Sequence, residues 1–257
     1  LSGFEIFDPQ MRARVDAQRR SEIALRHGIE RDEFELYYQP IVDLRSGGVV
    51  SAEALIRWHR PGTGMVLPDA FIPIAEESGL VIEVGSWVIQ DACAQVAAWQ
   101  RELGAACPNV SINLSGRQLA HPELTATVRD AIECSGADPS LLTFEITETV
   151  LLRDVERAVA TLDSLRDLGV RLSLDDFGTG YSSLTYLTQF PVDTLKIDRT
   201  FVSRGAEVNE PIVNMILVLA ATLGLDVVAE GVETDAQAES LRAAGCTKAQ
   251  GFLFARP

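Results

Sequence analysis

The amino-acid sequence predicts an α/β fold, a (β/α)8 barrel whose first strand runs antiparallel to its neighbours. Three observations carry this prediction. Short β-branched runs recur along the chain, stretches of helical period separate most of them, and polar residues fall at alternate positions within the runs. The runs are Leu36–Leu44, Val49–Trp58, Val110–Ser115, Leu141–Glu148, Arg171–Phe177, Thr194–Phe201, Asp226–Glu233 and Lys248–Phe254, which makes eight candidate strands.

Only Arg45–Gly48 separates the first run from the second, so the two read as an antiparallel hairpin. Helical periods follow at Leu80–Leu103, Gln118–Ser135, Thr149–Gly169, Glu207–Leu223 and Thr234–Ala244. In the third of these, Val155, Ala158, Val159, Leu162, Leu165 and Leu168 form one apolar stripe, and Gly169 suits the left-handed residue that ends a helix. In the last, Thr234 and Gln237 have capping-box spacing and Gly245 closes the segment. Strands alternating with helices imply right-handed βαβ units, and eight of them close most simply into a TIM-like barrel. An open doubly wound sheet is the alternative.

A chain of 257 residues that is 47% hydrophobic can bury a large core as one domain. The longest uncharged apolar stretch, Pro211–Leu225, is shorter than the roughly 20 residues that span a bilayer. No secretory signal is visible, and Cys93, Cys107, Cys134 and Cys246 show no metal or redox spacing, so a reducing cytoplasm is the expected compartment. A net charge of −15 argues against binding polymeric nucleic acid. An anionic substrate would need local help, which bound divalent cations can provide by reversing the local field.

Side chains in a strand alternate faces, so the polar members of each run can be tested for a shared side. Ser51, Glu53 and Arg57 oppose Ala52, Ala54, Ile56 and Trp58, while Ser111 and Asn113 oppose Val110 and Ile112. Thr143 and Glu145 oppose Leu142, Phe144 and Ile146, and Thr194, Lys196 and Asp198 oppose Leu195 and Ile197. With the apolar face toward the helices, Glu53, Asn113, Glu145, Asp175, Lys196 and Glu230 should converge in the barrel mouth. So many acids together require protons, Lys196 or metal ions. Oxygen donors without a nearby His or Cys suit Mg²⁺ or Mn²⁺ rather than zinc. The adjacent Asp175 and Asp176 point apart in an ideal strand, but at a strand end they could serve paired metals.

The segments Tyr38-Gln39-Pro40-Ile41, Glu53-Ala54-Leu55-Ile56-Arg57, Ser111-Ile112-Asn113-Leu114-Ser115, Glu145-Ile146-Thr147-Glu148, Asp175-Asp176-Phe177-Gly178-Thr179-Gly180, Leu195-Lys196-Ile197-Asp198, Glu230-Gly231-Val232-Glu233 and Gln250-Gly251-Phe252 together resemble the EAL-domain cyclic-di-GMP phosphodiesterases. The resemblance runs from about Arg31 to Pro257. It implies hydrolysis of cyclic di-GMP to linear pGpG with two Mg²⁺ or Mn²⁺ ions and a nucleophile bridging them. By motif, Glu53, Asn113, Glu145 and Asp175 would hold the first ion. Asp175 would bridge, and Asp176 with Glu230 would serve the second. Lys196 would act as general base or position water. Arg57 would contact a phosphate, lying roughly 13 Å beyond Glu53 at about 3.3 Å per residue. Gln39, Asp198 and Gln250 would add substrate or water contacts, and Glu148 would brace the loop Phe177–Leu184.

The N-terminal segment from Phe4 to Met11, with the charged run Arg12–Arg26, resembles the junction after a GGDEF domain. The expected division is residues 1–25 as that linker and 26–257 as the phosphodiesterase barrel, a piece of a longer signalling protein whose sensory or membrane segments lie elsewhere. The apolar helix near Pro211–Leu225 reads as core, although barrel helices could also form a homodimer interface. Two other functions are weighed: a catalytically silent cyclic-di-GMP receptor, which the complete acid set disfavours, and a metal-assisted enzyme with a lysine base, in which Arg57 and Glu148 have no place. His27, His59 and His121 are assigned no chemistry.

Overall fold

The computed structural model describes residues 9–178, 187–202 and 208–257, with side chains from residue 19 onward. Among these residues nine strands lie in one sheet: β1 (Phe34–Asp43), β2 (Val49–Arg60), β3 (Gly64–Val66), β4 (Asn109–Asn113), β5 (Leu142–Thr147), β6 (Arg171–Phe177), β7 (Thr194–Ile197), β8 (Asp226–Ala229) and β9 (Lys248–Gln250). Parallel pairing runs β2–β4–β5–β6–β7–β8–β9, and β1 is antiparallel to both β2 and β9. Those two pairings close a ring of eight strands, which excludes the open sheet. The short β3 folds back on β2 outside the ring.

The β1–β2 hairpin is set by Asp43, whose Oδ1 accepts from the backbone N–H of Arg45 at 2.9 Å and of Ser46 at 2.8 Å. This is a side-chain turn of the kind aspartate favours. Outward-facing Leu142, Phe144, Ile146, Leu172, Leu174, Leu195 and Ile197 are buried beneath the helices. The interior is less ordinary. Where most such barrels fill their centre with branched apolar side chains, Ser51, Ser111, Thr143, Ser173 and Thr194 here line a cavity of about 150 Å³ below the acids.

Helices form at Pro68–Ser78, Val81–Leu103, Leu124–Ser135, Val155–Arg166, Glu210–Leu223 and Asp235–Ala243. The helical period Gln118–Ser135 is broken in two, with a four-residue helix at Gly116–Leu119, because Pro122 between the pieces has no N–H and clashes with a preceding turn. The period from Thr149 starts in earnest only at Val155, where Asp154 accepts from the Arg157 N–H at 3.3 Å. Thr234 and Gln237 do form a capping box, and Gly169 and Gly245 hold positive φ. The predicted strand ends at Phe201, Glu233 and Phe254 are too late. The ladders stop at Ile197, Ala229 and Gln250, where the chain turns over the mouth. The turn after Gln250 requires Gly251, since a Cβ there would lie 2.1 Å from the Val232 carbonyl oxygen. The helix Pro68–Ser78 and β3 escaped the sequence reading. That helix begins with Pro68 at its first position and carries Pro73 inside, which masks its period.

The helix Pro9–Glu30 runs into β1, and Leu25 on it is fully buried. A Cβ on Gly28 would sit 2.8 Å from the Trp58 indole nitrogen, which donates to Glu33 at 3.0 Å. The segment from Phe4 to Asp8 lies outside the described residues. Helix Glu210–Leu223 buries Val213, Ile216 and Ala220, while Met215 and Val218 face outward, 60% and 67% exposed. No described helix is long and apolar enough to cross a membrane.

Candidate active site

Strand parity turns Glu53, Glu145 and Asp175 inward from within β2, β5 and β6, and Glu230 follows directly on the end of β8. Glu53 on β2 faces Ser111 on β4, Asn113 faces Glu145 on β5, and Thr147 faces Asp175 on β6. Ring closure brings them together around Lys196 of β7, which is 1% exposed. Its Nζ lies 2.5 Å from Glu230, 2.6 Å from Glu145, 3.5 Å from Asp175 and 3.6 Å from Glu53. Burial alone would depress the Lys196 ammonium, but these four carboxylates outweigh it and hold the group well above the ordinary lysine range.

Glu53 is oriented by a chain of amides. Asn113 Nδ2 donates to its Oε1 at 2.7 Å and Gln250 Nε2 to its Oε2 at 2.6 Å. Gln250 also donates to Gln39 at 3.0 Å, and Gln39 donates to the Ala255 carbonyl at 3.0 Å. Burial pushes the Glu53 carboxyl up, yet the Lys196 charge and these two hydrogen bonds leave it below its usual value. Glu145, wholly buried beside other acids, is pushed well above the carboxylate range despite Lys196.

Asp176 departs from the strand pattern. The β6–β7 register shifts between Leu174 and Phe177, and Asp176 adopts a left-handed φ of 54°. A bulge of this kind re-aims a side chain beside an active site. Asp175, Asp176 and Glu230 each thereby offer an oxygen within 4.8 Å of the others. Burial and neighbouring acids raise Glu230 to about 7 and Asp176 to about 6. Their demand for positive charge is unmet by Lys196 alone, and an all-oxygen donor set suits a hard divalent cation.

These protons make a stability prediction for the metal-free protein. Raised acids bind protons in the folded chain that the unfolded chain releases above its ordinary values of 4.5 and 3.8. Their joint contribution is therefore complete only below pH 3.8 and is lost as pH rises through about 7. In chelator the melting midpoint should fall from pH 5 to pH 7.5, and Glu230→Gln should flatten that fall. A midpoint that climbs across the window would refute the proton assignment.

The other predicted residues sit around this centre. Arg57 is buried at the mouth, its Nη1 donating to the Ile56 carbonyl at 3.0 Å and its guanidinium 5.4 Å from the centre of the Tyr37 ring. Asp198 is buried and accepts from the Thr200 N–H at 3.0 Å and from the Thr200 hydroxyl. Glu148, on the opposite parity from Glu145, accepts from the Gly178 N–H at 3.4 Å. Beyond Gly178 the expected loop to Leu184 lies outside the described residues. Sequence reasoning missed Tyr37, although it shares strand parity with Gln39 two residues on. It also gave no role to His59, which bonds Glu35 at 2.9 Å.

Comparison with known proteins decides the family, because the sequence model of the EAL domain matches residues 22–257. The chain belongs to the EAL domain family. Over its whole length the EAL chain is 42% identical to the bifunctional diguanylate cyclase/cyclic di-GMP phosphodiesterase MucR of Pseudomonas aeruginosa, of which it spans 38%. An uncharacterised Mycobacterium bovis protein is 44% identical over 98% of the chain, which spans 41% of that relative. The chain thus covers about two-fifths of each. The solved PaMucR phosphodiesterase in complex with c-di-GMP superimposes with a TM-score of 0.88 at 43% identity, over 93% of this chain and 97% of that one.

Proposed function

We propose that this EAL domain is a cyclic-guanylate-specific phosphodiesterase that opens cyclic di-GMP to linear 5'-pGpG in bacterial second-messenger signalling. The observation that carries the reading is the acid ring at the barrel mouth with Lys196 at its centre. A receptor that only bound the dinucleotide would have no use for five acids converging on one buried lysine, three of which, Glu145, Asp176 and Glu230, are held above the usual carboxylate range.

Of two Mg²⁺ or Mn²⁺ ions, Glu53, Asn113, Glu145 and Asp175 would hold one, and Asp175, Asp176 and Glu230, whose oxygens converge within 4.8 Å, would hold the other. Bound there, divalent ions would supply an activated water near neutral pH and offset charge on the phosphate. The chain's own residues do the rest. The amides of Asn113, Gln250 and Gln39 fix the Glu53 carboxylate, leaving Asn113 Oδ1 as a donor to a cation. Lys196 holds a proton at Nζ between Glu145 and Glu230, and as an ammonium held in that state it would position water rather than take a proton. Arg57 offers a guanidinium to a phosphate, and Glu148 pins the backbone at Gly178 beside Asp176. The domain acts in the cytoplasm, downstream of a GGDEF or sensory segment of a longer protein.

Purified protein incubated with cyclic di-GMP and either Mg²⁺ or Mn²⁺ should yield pGpG by chromatography, and chelator should stop it. Binding without any product in either metal would replace the phosphodiesterase by the silent receptor.

A further inference from the structure

Arg57 is only 8% exposed, yet among the described residues it forms no ion pair with a carboxylate. Buried charge is ordinarily paired. The acid directly across the β1–β2 ladder is Glu35, and that acid is engaged instead by His59 at 2.9 Å. Among the described residues, the guanidinium is held by a bond to the Ile56 carbonyl at 3.0 Å and by the face of Tyr37, 5.4 Å away. Tyr37 lies two residues before Gln39 on β1, so alternation places it on the same side of the strand. Arg57 thus keeps its charge and most of its donors, while an aromatic face takes the place a carboxylate would fill. A carboxylate there would cancel the charge that an anionic ligand needs. An aromatic ring attracts the cation and leaves it uncancelled.

We propose that Tyr37 is a positioning residue that pre-orients the Arg57 guanidinium for a phosphate of a cyclic dinucleotide. The inference rests on the proposed substrate. Pre-orientation of this kind lowers the ordering cost of binding and leaves the chemical step alone.

The test compares wild type, Tyr37→Phe, Tyr37→Leu, Arg57→Ala and the Tyr37→Leu/Arg57→Ala double variant. Each is followed by steady-state hydrolysis of cyclic di-GMP and by equilibrium binding of cyclic di-GMP in chelator. Tyr37→Leu should raise KM and Kd about tenfold with kcat within about twofold. Tyr37→Phe, which keeps the ring, should match wild type. In the Arg57→Ala background Tyr37→Leu should add nothing. Tyr37→Gln takes its place if the leucine variant does not fold. Normal KM and Kd in the ring-less variant, equal damage from phenylalanine, or losses that multiply with Arg57→Ala would overturn the inference. A wild type that binds without turnover sinks the phosphodiesterase reading alone, with the Kd series still deciding Tyr37. A wild type that does neither sinks both.

Discussion

Replacing Lys196 with methionine is expected to lower the melting midpoint of the metal-free protein by about 6–20 °C and to cut turnover at least about a hundredfold. The side chain is 1% exposed and its Nζ meets four carboxylates between 2.5 and 3.6 Å away. Methionine fills nearly the same volume, so packing is preserved and the charge alone is lost. Breaking a buried ion pair by removing one partner costs about 3–5 kcal/mol, because the other charge stays behind. In a domain of this size each kcal/mol moves the midpoint by about 2–4 °C. The acids can escape part of the cost by taking protons, so the loss should be smaller at pH 5 than at pH 8. Melting curves in chelator at those two pH values check both the size and the sign. Equal midpoints for variant and wild type at pH 8 would mean that Lys196 does not balance the ring. Turnover should fall by a factor of about 10²–10³, the usual contribution of one fixed, pre-organised polar group.

Glu53→Ala should behave oppositely, losing turnover while keeping the fold. Removal of this acid leaves Lys196 with three of its four carboxylates and relieves repulsion on Glu145 and Glu230, both of which feel the Glu53 charge. Against that relief, Asn113 and Gln250 each lose an acceptor. The two effects have opposite signs, so the midpoint in chelator should move by only a few degrees. Hydrolysis, in contrast, should drop on the order of 10³-fold, equivalent to about 4 kcal/mol of transition-state stabilisation. Circular dichroism melts beside product assays separate the two effects. Near-normal turnover in a folded variant would show that Glu53 has no part in the chemistry.

Much of the site was legible because its rules are local. Alternation within a strand needs only neighbouring residues, and it put Glu53, Asn113, Glu145, Lys196 and Glu230 on one face. It also separated Glu148 from Glu145, and the structure gives Glu148 a different partner, the Gly178 N–H. Asp176 lay beyond that rule. Its side chain joins Asp175 because the backbone leaves the strand conformation at φ 54° and the register slips, and neither event has a local sequence signal. Lys196 shows the same limit for charge. The apolar Leu195 and Ile197 beside it announced burial, but the direction of its proton affinity depends on acids from four other strands or their loops.

The sequence by itself determined the alternation of the eight ring strands with most of their helices, the antiparallel opening hairpin, the inward face of those strands and, through its ordered motifs, the EAL domain family. All of these rest on periodicity or on short contiguous patterns. Tertiary structure alone decided that β1 seals the ring between β2 and β9, that Lys196 touches four acids drawn from residues 53 to 230, and that a tyrosine replaces a carboxylate beside Arg57. These contacts join residues far apart in the chain, or set two side chains at one distance rather than another. Their geometry is fixed by the closure and stagger of the whole barrel, a property of the ring that no single segment contains.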